Sequence, residues 1–417
     1  MASKGWAANM TVTEVDDNAV WTCRRPVSPG FFDSSSNTTF FCWSGTNMEG
    51  YVKSYDHVSG EFSPSIRLPS RVPNDYHNYP HMIKTDDGRI MVVWSEHNEL
   101  LLRALSEGPL SLAGTWDIDE IREGYEATYP MPVKADNGDI YIFYRQSFGI
   151  DDKPERYVKS TDNGTTWNAA VDAIKHTDLR PDNLNEMYLG TAKHESALGG
   201  RPEKIHISWN IAGGGPEGPK HDMYHKNIYH AYLNLTNDHF YNVAGVDLGT
   251  TINNNQSVNH CLAVDSGPLT FKRDGDTRTY DIGYISSVSY SDSGNPILVY
   301  SHLLPEDSVE HARSVRWTGE SWKVTDTGHA TTGVKELEKI GPKSFRLYIG
   351  VAGGKIQVLN TSDSGASWSN DDLIDETLSI RDFVLIDDHH PEIRAVMSES
   401  TNEYSGIHKV WVAGHRS

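Results

Sequence analysis

Short apolar runs rich in β-branched and aromatic residues recur along the whole chain, at residues 38–44, 90–95, 140–145, 205–209, 297–301, 345–350 and 393–397. Each has the length of a strand rather than of a helix. Most are followed, after a turn, by a second run that mixes polar and aromatic residues, at 51–54, 100–104, 156–160, 228–232, 312–317, 356–359 and 408–412. No segment shows a convincing helical period. The pattern predicts an all-β chain made of seven similar multi-stranded units. The interval between the runs at 205 and 297 is longer than the others, which leaves room for an eighth unit or an insertion.

Two of the units repeat each other closely. Tyr79-Pro80, Gly88 and the apolar run from Ile90 are matched fifty residues later by Tyr129-Pro130, Gly138 and the run from Ile140. Eight positions separate proline from glycine in both, so one structural motif is used twice. Two turns also share a signature, Ser160-x-Asp162-x-Gly164-x-x-Trp167 and Thr361-x-Asp363-x-Gly365-x-x-Trp368, with a weaker echo at Gly319-Glu-Ser-Trp322. An Asp side chain can bond turn amides, Gly supplies a positive φ, and Trp packs between sheets. The signature resembles the Asp-box of sialidase-like β-propellers, where it is a structural fastener on outer turns. Seven such units arranged radially give a seven-bladed β-propeller with Asp-box turns, a single domain over residues 1–417 that protects its edges by closure.

Charge narrows the partners. A formal net charge of -20 and a pI near 5.3 argue against nucleic acid and anionic membrane. An anionic ligand must then be held by local positive charge. No run approaches the length of a membrane span, and the first residues, Met1-Ala-Ser-Lys-Gly5, lack the apolar stretch of an export signal. Asn-x-Ser/Thr sites at Asn9, Asn37, Asn163, Asn234, Asn255 and Asn360 favour an extracellular protein. Cys23, Cys42 and Cys261 make no disulfide framework, although Cys23 and Cys42 are placed to pair across neighbouring strands. A monomer is expected.

Function in a propeller sits around the central channel, at the ends of inner strands and on the loops joining them. The candidates there are His77, Tyr79 and His97 on one repeat and Tyr129 and Arg145 on the next. Tyr79 reads as a packing residue, Tyr129 stands between packing and chemistry, and His97 has a turn residue as its bland alternative. Arg145 is harder to dismiss, because burying a guanidinium without an anionic partner is costly.

The order Asp75-x-His77-x-x-Pro80, His97-Asn98, Thr128-Tyr129-Pro130, Tyr144-Arg145 and a downstream Asp-box resembles the BNR-4 repeat polysaccharide lyases. That group includes ulvan lyases and the fungal rhamnose-α-1,4-glucuronate lyases that act on gum arabic. His77 and His97 are twenty residues apart, and Tyr129 and Arg145 sixteen, as in those lyases. The resemblance continues through Tyr188, Trp209, the Gly213–Gly215 loop and His225-Lys-Asn-Ile-Tyr229, and the stretches after Ala212 and around Tyr224 are closer to the fungal lyases. It implies β-elimination from an anionic uronate-containing polysaccharide. Arg145 would neutralise the uronate carboxylate, His97 and Tyr129 would stabilise the enediolate, and His77, with an ordinary pKa of about 6.5, would move the proton. Tyr188, Tyr224, His225 and His260 would contact substrate, and an iduronate would bring in Tyr129 or Tyr188 as a second proton carrier.

The elimination requires no cofactor. Some relatives carry a structural zinc on histidine and cysteine, and His194, His206, His221, His225, His230, His260 and Cys261 populate the middle of this chain. None has a compelling short ligand spacing, so a structural Zn2+ or Ca2+ stays open. Two rival functions stay open as well. A sialidase-like hydrolase would need an arginine triad, for which only Arg145 stands in position, and a carbohydrate-binding propeller would need no aligned His and Arg.

Overall fold

All seven apolar runs become the second strand of an antiparallel meander. These strands are Thr38–Gly45, Ile90–Ser95, Ile140–Gln146, Lys204–Gly213, Pro296–Leu303, Phe345–Val351 and Ile393–Glu399. The computed structural model describes residues 5–21, 28–69, 77, 79–149, 153–176, 183–213, 224–267, 279–280, 282–303, 309–333, 335–399 and 408–415. Burial explains why these strands read as continuous apolar runs. Every residue of Ile90–Ser95 is buried, with Ile90, Val92 and Trp94 packed toward Phe40, Cys42 and Val52 of the preceding meander. Met91 and Val93 point the other way, against Ile140, Ile142 and Tyr144 of the next. A strand buried on both faces loses the alternation of a half-exposed one, and period two survives only as the choice of neighbouring sheet.

Among the described residues the strands form six sheets, four of them four-stranded up-and-down meanders. A nine-stranded sheet contains both the first meander, from Gly30–Asp33 to Ile66–Leu68, and the last, from Ile380–His390 to His408–Gly414. The N-terminal strand Thr11–Trp21 pairs antiparallel with His408–Gly414, from Thr11 opposite Gly414 to Ala19 opposite His408. The two ends of the chain are thereby zipped into one meander. The first and last meanders join through the parallel bridge of Phe31 with Asp387 and the pairing of Ala19 with Gly45. The expected seven equal units are therefore not seven separate sheets. The long interval after residue 205 adds strands to one existing sheet, which reaches seven strands with Leu262–Val264 and Thr279–Tyr280 docked on Tyr224–Asn234.

First strands of successive meanders touch in chain order: Gly30–Asp33, His81–Lys84, Ala127–Lys134, Glu186–Glu195, Ile282–Tyr290, Lys335–Lys339 and Ile380–His390, which returns to Gly30–Asp33. This closed order makes the fold propeller-like and gathers the ends of the first strands around one axis. The pattern of apolar residues gave no sign of the helix Asn254–His260. At seven residues it is too short for a period, and it is set by a capping box between Asn253 and Gln256.

The two Asp-boxes are the same device. Asp162 accepts from Ser160 Oγ at 2.8 Å and from the Thr166 amide at 2.8 Å, and Asp363 accepts from Thr361 Oγ1 at 2.7 Å and the Ser367 amide at 3.0 Å. Gly164 and Gly365 hold φ of 77° and 80°, and a Cβ would meet Met91 Sδ at 2.6 Å or Ile297 Cδ1 at 2.5 Å. Trp167 and Trp368 each pack against the preceding sheet. Cys23 lies outside the described residues, and its pairing with Cys42 with it. No helix among the described residues is long and apolar enough to cross a membrane.

Candidate active site

Arg145 is placed by the strand Ile140–Gln146, and its side chain is only 2% exposed. The guanidinium lies 5.0 Å from the centre of the Tyr129 ring and 4.6 Å from that of Tyr188. Burial alone would lower its pKa, but Tyr188, Tyr129 and Glu186 outweigh burial and raise it, so the charge persists. Nε and Nη1 are buried without a hydrogen-bond partner among the described residues. Buried, charged donors left open cost stability unless an anion completes them.

Tyr129 is held in an unusual backbone. Its φ is 61°, a strained value for an aromatic residue, at a break in register between Thr128 and Met131. Such bulges re-aim side chains beside functional sites. A second register break, between Leu189 and Thr191, follows Tyr188. Tyr129 and Tyr188 face each other at 6.2 Å, and Tyr79 stacks toward Tyr129 at 6.4 Å. Tyr79, Tyr129, Tyr188, Ala212 and Val384 form one buried cluster contributed by three successive meanders and the closing one.

His77 and His97, expected as a pair from the resemblance to the lyases, are stacked with ring centroids 3.8 Å apart and planes at 23°. His77 also lies 5.4 Å from the Tyr129 ring. The loop carrying His97 is pinned by its neighbour. Asn98, at φ 57°, donates its amide to Ala127 O at 3.0 Å and accepts from Thr128 Oγ1 at 2.9 Å. This clamp ties the His97 turn to the residue before Tyr129.

On the far side, His225 is fully buried, its ring 5.1 Å from Tyr188 and its Nδ1 3.0 Å from Asn210 Nδ2. The amide donates to Nδ1, which leaves Nε2 as the nitrogen carrying hydrogen in the neutral ring. Sequence reading passed over Asn98, Thr128 and Asn210. The only signal for Asn98 was its place in the His-Asn pair. Glu186, whose charge helps to hold Arg145 protonated and which pairs with buried Lys153 at 2.8 Å, was equally silent.

Two expected substrate contacts fall elsewhere. Tyr224 precedes His225 on one strand, so their side chains take opposite faces, and Tyr224 packs in the core with Trp209, Met187 and Leu184. His260 ends the helix Asn254–His260 and is exposed. The following strand pairs with Ile228 and Tyr229, and the His230 amide donates to Cys261 O, so His260 lies toward the opposite end of the strand from His225.

Three of the mid-chain histidines make buried or half-buried polar contacts among the described residues, with His194 on Glu203 at 2.8 Å. His206 joins His230 at 3.0 Å and Glu195 at 2.8 Å, with Lys204 also on Glu195 at 3.0 Å. Burial pushes the Cys261 thiol up to about 12. His221 lies outside the described residues. Groups of three metal-ligand side chains do occur among the described residues, but at His57, His390 and Glu392 and at Asp136, His194 and Glu203.

A family model described as a BNR repeat-containing family member matches residues 38–330. An ulvan lyase of Pseudoalteromonas sp. (strain PLSV) is 24% identical over 315 residues, covering 68% of this chain. That match spans 60% of the relative's own length, less than two thirds. An ulvan lyase of Alteromonas sp. (strain LOR) is 23% identical over 429 residues, 93% of this chain and 84% of that one. Among solved structures, an ulvan lyase bound to -[GlcA(1-4)Rha3S]- has a TM-score of 0.76 at 18% identity, covering 97% of this chain and 96% of the other. The polysaccharide lyase Uly1 has a TM-score of 0.68 at 12% identity, covering 97% and 99%. At these identities the solved structures show a common fold, and the family match, over well more than half of the residues, places this chain in the BNR repeat-containing family.

Proposed function

We propose that the protein is a polysaccharide lyase that cleaves the rhamnosyl-α-1,4-glucuronate linkage by β-elimination. The observation that carries this reading is Arg145, a buried permanent charge, with two donors unpartnered among the described residues, against two tyrosines and beside a histidine pair. An ionised uronate carboxylate resists loss of the neighbouring C5 proton. Bidentate pairing with a guanidinium removes that resistance.

His77 takes the C5 proton, the C5–H electron pair forms the C4–C5 double bond, and the C4–O bond breaks. In a glucuronate the proton and the leaving oxygen share one face of the ring, so the same imidazole returns the proton to the departing oxygen. His97 stacks on the proton-carrying ring with centroids 3.8 Å apart and so holds its orientation. Tyr129 and Tyr188 donate to the developing enediolate.

Gum arabic-type side chains ending in rhamnose are the substrate we favour, attacked from the chain end. Ulvan is the second reading, supported by the relatives named ulvan lyase. Incubation with each polymer separately, following ultraviolet absorbance of the unsaturated uronate and free rhamnose together, tests both. Absorbance rising with rhamnose release on gum arabic is expected, a rise on ulvan alone moves the substrate, and reducing sugar released without absorbance would sink elimination. We also read the nine-stranded sheet as two blades fused where the ring closes, for seven blades in all, in an extracellular monomer. The closed order of the first strands supports that count.

A further inference from the structure

We propose that His57, His390 and Glu392 form a binding site for a borderline divalent metal, Zn2+ in the first instance, which clasps the first meander to the last. His57 follows the strand Gly50–Asp56 of the first meander, and His390 and Glu392 form the hairpin of the last. Among the described residues, backbone pairing across this junction is sparse, with one parallel bridge at Phe31 and Asp387 and the contact of the N-terminal strand with Gly45 and Ser44.

The donors converge. His57 Nδ1 is 2.7 Å from Glu392 Oε2, His390 Nδ1 is 3.9 Å from the same oxygen, and one ligand atom from each residue falls within 4.8 Å of the others. Donors on a tetrahedral zinc lie about 3.3 Å apart, so sub-ångström shifts close the set. The His57 ring is already aimed. Its side chain is 1% exposed, Nε2 is fixed by Thr39 Oγ1 at 2.8 Å, and Tyr55 and Phe32 pack edge-on at 4.8 Å and 5.5 Å. A ligand histidine whose other nitrogen is held by a neighbouring side chain is the usual arrangement around a metal.

The two imidazole centroids lie 3.8 Å apart with their planes tilted by 43°, and both rings reach the same carboxylate oxygen through Nδ1. A divalent ion takes the place of the proton shared by His57 Nδ1 and Glu392, which leaves to solvent, and joins three groups that a proton joins only in pairs. Two imidazoles with one carboxylate select zinc-like ions over Ca2+ or Mg2+, and water completes the fourth position. The cluster of Asp136, His194 and Glu203 is a weaker candidate, because Glu203 already accepts the Asp136 amide and Asp136 accepts from Ser196.

The test is calorimetric titration of chelator-stripped, untagged protein with Zn2+ alone, with thermal melting in parallel. One equivalent should bind and raise Tm by about 3 °C at a hundred times Kd. His390→Ala and Glu392→Gln should each abolish that binding, whereas His194→Ala should keep it. His390 is 26% exposed, so H390A tests the site even if removal of the buried His57 prevents folding. No Zn2+ binding by the parent protein, or equal binding by H390A, would overturn the proposal.

Discussion

The guanidinium of Arg145 lies 4.6 Å from the centre of the Tyr188 ring and 5.0 Å from that of Tyr129, against two neighbouring rings whose centres are 6.2 Å apart. The two π faces make the burial tolerable without consuming the donors. Nε and Nη1 are buried with no hydrogen-bond partner among the described residues. Replacement of Arg145 by Ala should therefore lower elimination by about a thousandfold or more while leaving the melting temperature nearly unchanged. Arg145→Lys should recover little, because an ammonium cannot offer two parallel donors. Initial rates of unsaturated uronate formation beside thermal melts check this, and wild-type turnover in the Ala variant would remove Arg145 from the mechanism.

His77 and Tyr129 should separate by substrate. His77→Gln removes the proton carrier and should cost about 10²- to 10⁴-fold in turnover on glucuronate while oligosaccharide binding persists. Tyr129→Phe keeps the ring under Arg145 and loses only the hydroxyl. It should reduce glucuronate cleavage less than any iduronate cleavage, where the proton and leaving oxygen lie on opposite faces. Equal loss on both substrates would give Tyr129 the same role in each.

Asn98 clamps the His97 turn to Thr128 with its side chain and holds φ at 57°. Asn98→Ala loses the bond and puts a poor residue in a left-handed conformation, so a loss of about 1–2 kcal/mol in stability is expected. Asn98→Gly restores the backbone freedom and not the bond. Chemical denaturation of the two variants should rank Ala below Gly, and equal stability of the two would place the effect in the side-chain bond alone.

The strands were legible because they are buried on both faces, which leaves unbroken apolar runs such as Ile90 to Trp94. The histidine pair and the Tyr–Arg pair were legible because a repeated motif puts like positions at like places around the axis. Where the reading failed, a register break or a distant contact decided. Tyr224 and His225 are adjacent, and only the shift between Trp209 and Ile211 opposite Tyr229 and Lys226 settles which one faces Tyr188. His57 and His390 meet only because the ring closes, and nothing local announces a contact between the first meander and the last.

Asp162 should matter for stability and not for chemistry. Its carboxylate closes the turn through the Thr166 amide and hydroxyl, remote from Arg145. Asp162→Ala should cost about 1–3 kcal/mol, with kcat unchanged below the melting transition. Gly164→Ala should cost at least as much, because the new methyl meets Met91 Sδ at 2.6 Å in a positive-φ backbone. A specific loss of kcat in folded Asp162→Ala would give the Asp-box a part in catalysis.

Acid should loosen the sheet that carries Tyr188 through Glu195. Burial alone would raise this carboxyl, but hydrogen bonds from His206 and Lys204 outweigh it and hold it at about 2, below its ordinary 4.5. His206, itself pushed down by burial, bonds Glu195 at 2.8 Å, and Lys204 adds its charge at 3.0 Å. A depressed acid contributes its full stability above the ordinary value and loses it as pH falls toward the folded one. Denaturation midpoints should therefore drop between about pH 4.5 and 2. Glu338, also held near 2 by His389, Tyr348 and Arg394 against burial, contributes to the same fall. Glu195→Gln should be less stable at neutral pH and show a shallower acid slope, with the remainder due to Glu338. An acid slope identical to the parent's would mean that Glu195 binds its proton equally in both states.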